Sequence, residues 1–119
     1  MEKTKLLIKN TLNELGASPE IKGYRYLVDA ILMVIEDEDV LHRGIVKGLY
    51  CEVAEKYKGE NGIRVERAIR HAVERIFDRY GGDLLEQLFR NNISPNKGKA
   101  TNSQFIAVVA EHVKTVYGV

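Results

Sequence analysis

The sequence predicts an all-α domain, a compact bundle of about six or seven helices. Apolar residues recur at intervals of three and four along most of the chain, and short clusters containing Gly, Pro, Asn or Asp separate the segments so patterned. No run alternates apolar and polar residues as a half-buried strand does. The scale agrees: 119 residues, 45% of them hydrophobic, can bury one core without metal or disulfide staples, so residues 1–119 are read as a single domain. No internal repeat, low-complexity tract or interdomain linker interrupts it.

Taken in order, Lys3 to Leu15 forms an amphipathic helix with Leu7, Ile8, Leu12 and Leu15 inward, closed by Gly16. Ser18-Pro19-Glu20 carries a helix-start signature, with Ser18 as N-cap, and Gly23 marks a bend. Tyr24 to Glu36 is dense in Leu, Ile and Val and predicts the most buried helix, ended by the acidic run Glu36 to Asp39. From about Ile45 a helix weakened by Gly48 runs into a short one, Cys51 to Lys58, followed by the break Gly59-Glu60-Asn61-Gly62. The long helix after the break is stopped by Gly81-Gly82, and Asp83 caps a short helix through Phe89 or Arg90. Asn91 to Ala100 is a loop by composition, and Thr101 or Asn102 caps a last helix whose Phe105, Ile106, Val108, Val109 and Val113 close the core.

The chemistry concentrates between Leu49 and Tyr80. On the long helix Val65, Ile69, Ala72, Val73 and Ile76 recur as a core-facing stripe, while Arg64, Arg67, Arg70, His71 and Glu74 lie on the other side. Helix, tight turn, basic helix is the outline of a helix-turn-helix DNA reader, here about residues 49–80. Arg64, Glu66 and Arg67 are expected in the first turn, where a reader reaches base edges, and Arg70 and His71 one turn later, where phosphates would lie. Arginine near a helix N-terminus opposes the macrodipole, so helix stability alone does not favour Arg64 and Arg67 there. A guanidinium can pair with guanine O6 and N7, and a carboxylate can accept from cytosine N4. The same charges also describe a solvated face with pairs such as Glu66 to Arg70 and Arg70 to Glu74, and charge pattern alone leaves the two readings level.

Three segments, IKGYRYLVDAI, RVERAIRHAVE and GKATNSQFIAVVA, stand in that order between about Thr11 and about His112. Together they closely resemble the C-terminal effector domain of the stage-zero sporulation master regulators, phosphorelay response regulators of endospore-forming bacteria. The resemblance implies a sequence-specific transcription regulator of sporulation, activator or repressor, that binds double-stranded DNA at short TGTCGAA-type sites, usually tandem copies occupied by a homodimer. It implies base contacts from Arg64, Glu66 and Arg67, and backbone or secondary contacts from Arg70 and His71. Lys22, Tyr24, Lys97, Lys99 and Asn102 stand in matching segments as further phosphate contacts.

Departures from the family pattern also carry expectations. The family engages the housekeeping sigma factor of RNA polymerase with the segment that reads GGDLLEQLFRNNIS here; Leu88, Phe89 and Ser94 fit, but Arg90 and Glu86-Gln87 replace small or hydroxyl residues. Cys51 stands where the family carries proline. Full-length members begin with a phosphorylated receiver, whose alternating strands and acidic pocket are not found in this sequence. The chain is therefore read either as an excised effector domain or as a stand-alone relative. The competing function is a receiver-less interaction module that binds or antagonises a full-length regulator.

Composition narrows the classes. A formal charge of +1 requires any basic character to be local, and Gly62 to Tyr80 does hold five arginines against three acids. One cysteine, Cys51, fits a reducing cytoplasm and is expected as a small, buried or half-buried residue. No apolar run is long enough to span a membrane, and no secretory signal opens the chain. His42, His71 and His112 are isolated from one another, and no Gly-rich phosphate loop follows a strand. The expectation is thus a cytoplasmic protein without catalysis, cofactor or metal.

Overall fold

The most apolar stretch of the sequence becomes the central helix of the computed structural model, which describes residues 2–42, 45–79, 82–89 and 100–119. Among the described residues every regular element is helical. The α-helices are α1 (Glu2–Glu14), α2 (Lys22–Glu36), α3 (Cys51–Ala54), α4 (Gly62–Asp78), α5 (Asp83–Phe89) and α6 (Asn102–Tyr117). A 3₁₀ turn, Glu38–Leu41, follows α2, and a π-helical segment, Ile45–Tyr50, leads directly into α3. The all-α bundle expected from periodicity is the architecture observed.

Helix α2 packs against α4, α6 and α1, so it presents apolar residues nearly all round, with Leu27, Ala30 and Ile31 fully buried. Gly23, expected to mark a bend, lies inside the first turn of α2 and has a different role. A Cβ built there would stand 2.0 Å from the carbonyl oxygen of Ala68 and 3.0 Å from Cβ of Ala72, both on α4. The two helices cross with only a glycine's width between their backbones, which fixes α4 on the core.

The ends of the helices are chemically specified. Gly16 adopts φ +98°, and the bonds Ala17 N–H to Leu12 O (2.9 Å) and Gly16 N–H to Asn13 O (3.1 Å) close α1 in a Schellman arrangement. Thr101 and Gln104 form a reciprocal capping box at the start of α6. Asp37 accepts from the backbone N–H of Asp39 at 3.0 Å and starts the 3₁₀ turn, a use for one member of the acidic run.

Other boundaries differ from those expected. Ser18 caps nothing: residues 18–21 form a turn closed by Ile21 N–H to Ser18 O at 3.1 Å, and α2 begins only at Lys22 behind Ile21, which gives no side-chain cap. The helix expected over Cys51 to Lys58 ends at Ala54, and residues 55–59 form turns in which Tyr57 donates to Asp29 of α2. Cys51, expected to be buried or half-buried, is exposed. Its Sγ lies 2.8 Å from where a Cβ on Gly62 would be, so the two residues meet at the mouth of the turn. Asp83 is the first helical residue of α5 rather than its cap, and α4 ends at Asp78, before the glycine pair. Phe89 stacks on Phe105 at 5.4 Å with rings 6° apart, and Phe77 meets both edge-on, joining α4, α5 and α6.

Candidate nucleic-acid interface

The turn before α4 sets how that helix emerges from the core. Gly59 takes φ +81°, a conformation that L side chains rarely adopt, and reverses the chain after α3. Asn61, with extended backbone, then accepts from the N–H of Arg64 at 2.9 Å and caps α4. Val65, Ile69, Ala72, Val73 and Ile76 are buried, whereas Arg64, Arg67, Arg70 and His71 are exposed. The two faces of α4 read from the sequence are therefore the two faces observed.

The charged groups on the open face are not equivalent. Arg64 folds back so that its guanidinium donates to the Gly59 carbonyl at 3.1 Å. Arg67 is exposed, and among the described residues none holds its guanidinium by hydrogen bond or ion pair. Glu66 is half-buried and pairs with Arg70 at 3.5 Å across one helical turn, the pairing expected of a solvated face. A base contact from Glu66 would have to compete with that pair.

Two tyrosine–carboxylate bonds fasten the turn to α2 in opposite senses. Tyr26 of α2 donates to Glu60 of the turn, and Tyr57 of the turn donates to Asp29 of α2. The two rings pack at 4.8 Å, inclined by 60°, and Arg25 lies 5.7 Å from the centre of the Tyr57 ring. Lys22 pairs with Glu60 at 2.7 Å, and Lys5 approaches Asp29 at 3.8 Å. Bonds from Lys22 and Tyr26 hold the Glu60 carboxyl below its ordinary pKa despite burial. Burial first, and the adjoining Glu60 second, push the Tyr26 phenol up to about 12; burial and Asp29 raise Tyr57 in the same direction. Separations of 34 and 28 residues put both bonds beyond any local sequence signal.

The secondary candidates divide. Lys22 is exposed, but its ammonium serves Glu60. Tyr24 is buried between α1 and α2, where its hydroxyl donates to Asn13 at 2.9 Å, so it is committed to the core and not to a ligand. Asn102, half-buried, donates to the backbone carbonyl of Glu66 at 3.2 Å, tying the start of α6 to α4. Phe89 is 1% exposed within the aromatic cluster and offers no surface to a partner, while Leu88 lines an open groove between α5 and α6 with Val108 and Val116. Lys97, Lys99, Arg90 and Ser94 lie outside the described residues. One residue escaped the sequence reading: Ile63, in the first turn of α4, is 64% exposed. The signal was available, because it falls outside the apolar stripe.

Among the described residues no three His, Cys, Asp or Glu side chains converge as a metal site, and no helix is long and apolar enough to cross a membrane. An all-helical domain that offers an arginine-bearing helix beyond a tight, fastened turn has the form of a DNA-binding effector domain. The family model described as "Sporulation initiation factor Spo0A C terminal" matches residues 8–113, and the chain belongs to that family. Membership makes it a DNA-binding domain of the sporulation response-regulator type, engaged in transcription regulation.

Proposed function

We propose that the chain regulates transcription by reading short TGTCGAA-type sites through a helix-turn-helix, in which the π-helical segment with α3 forms the first helix and α4 the reader. The observation that carries this reading is the exposed guanidinium of Arg67 in the second turn of a helix whose opposite face is buried. Arg67 and Arg64 would take guanine edges and Glu66 a cytosine amine, each side chain leaving its present partner where it has one. Arg70, His71 and Lys22 would lie along phosphates, joined by Lys97 and Lys99. Two copies would occupy tandem sites, in the cytoplasm, with Leu88 the remaining candidate for a sigma-factor contact.

A competition gel shift, with a TGTCGAA-type duplex against a scrambled one, tests the reading. Preferential displacement by the cognate duplex supports it, and equal displacement removes it. Salt titration of the same complex separates DNA reading from a protein-binding module, since a reader that neutralises Z phosphates loses affinity with a log–log slope of about −0.9Z.

A further inference from the structure

Ile63 is the anomaly on the arginine face. A large apolar side chain left 64% exposed keeps most of its surface in water, and this one is the most exposed of the large hydrophobics among the described residues. It does not pack against the core from the rim, as the neighbouring Ala68 does. Helical geometry puts residues 63, 67 and 70 on one face, since steps of four and seven residues each return close to the starting direction. Ile63 therefore shares its face with Arg67 and Arg70, both exposed, and stands nearest the N-terminal end. Arg64, the adjacent cation, is drawn back to the Gly59 carbonyl.

A docked duplex would bring that apolar side chain against base edges, flanked by arginines that hold the backbone or guanine. The major groove offers one apolar group, the C5 methyl of thymine. We propose that Ile63 is a specificity-determining residue that selects A·T pairs by packing on a thymine methyl beside the Arg67 contact. The inference rests on the DNA-reading function proposed above. It adds a nucleotide preference that the charged residues do not supply, because an isoleucine gains nothing from the polar edge of a G·C pair. Ile63 bears no load in the core, so its replacement leaves the fold intact.

The test compares the wild-type chain with Ile63→Ala by fluorescence anisotropy on three duplexes: a TGTCGAA-type site, the same site with deoxyuridine for every thymine, and a scrambled site. Removing one buried methyl contact is expected to weaken wild-type binding about fourfold. Ile63→Ala should bind the thymine site more weakly than wild type and should bind the thymine and deoxyuridine sites alike. Equal wild-type affinity for thymine and deoxyuridine sites, with preference over the scrambled site retained, overturns the Ile63 inference and spares the DNA-reading proposal. Full thymine discrimination in Ile63→Ala also overturns it. Absence of any wild-type preference for the cognate over the scrambled site removes the DNA reading itself, and the inference with it.

Discussion

Replacing Gly23 by alanine probes the contact that seats α4 on α2. The added Cβ would meet the Ala68 carbonyl oxygen at 2.0 Å, whereas real Cβ atoms essentially never come within 3.0 Å of a neighbour, so α2 and α4 must separate by about 1 Å or tilt. The atom in the way is backbone, and no rotamer change relieves it. Overpacking of this kind costs about 3 kcal/mol, and the better helix propensity of alanine returns about 1 kcal/mol. A net loss of about 2 kcal/mol lowers Tm by roughly 8 °C in a domain of this size. Gly62→Ala is the control, because the atom met there is Sγ of Cys51 at 2.8 Å, the end of an exposed side chain that can rotate away. Its expected change lies within about 1 kcal/mol of zero. Melting both variants by circular dichroism decides the matter: a Gly23→Ala protein as stable as wild type, or no more affected than Gly62→Ala, refutes the crossing argument.

Thr101→Ala removes the side-chain half of the capping box on α6 and should cost about 1 kcal/mol, read as a lower urea midpoint with an unchanged m-value. The clasp around the turn makes stability pH-dependent at both ends of the scale. Glu60 is held below its ordinary value of 4.5, so its contribution is present above that pH and is lost as the pH falls through the lower folded value. Tyr26 is raised from 10.0 to about 12, so its contribution is complete below pH 10.0 and disappears as the pH rises toward 12. Tyr26→Phe should lose stability at neutral pH and show a shallower decline over that alkaline interval; an unchanged slope in urea midpoints would exclude Tyr26 as its source.

How far the sequence disclosed this molecule depended on whether the determining contact was local. The stripe on α4, the Gly16 closure of α1 and the Thr101 cap are written in residues within a few positions of each other, and each was readable. Gly23 has the same sequence appearance whether it bends a helix or admits a neighbour, and only the approach of Ala68 distinguishes the two. The signature at Ser18 failed because the residues after it close a turn first, and Arg79 donates to the Ser18 hydroxyl at 3.2 Å from the far end of α4. At the interface the exposed arginines followed from periodicity. Arg64 is tethered locally, to a carbonyl five residues back, but the commitment of Tyr24 and Phe89 to the interior arises from tertiary neighbours, which no spacing rule encodes.

The central claim is that Arg67 distinguishes one base from another. It is tested most directly by measuring the ratio of Kd between a TGTCGAA-type duplex and one with its CG step replaced by AT, in wild type and in Arg67→Ala. The account predicts that the variant loses about 1–3 kcal/mol at the cognate duplex and that the ratio collapses toward unity. A ratio unchanged by the substitution, with both duplexes weakened alike, would make Arg67 a phosphate contact and contradict the account.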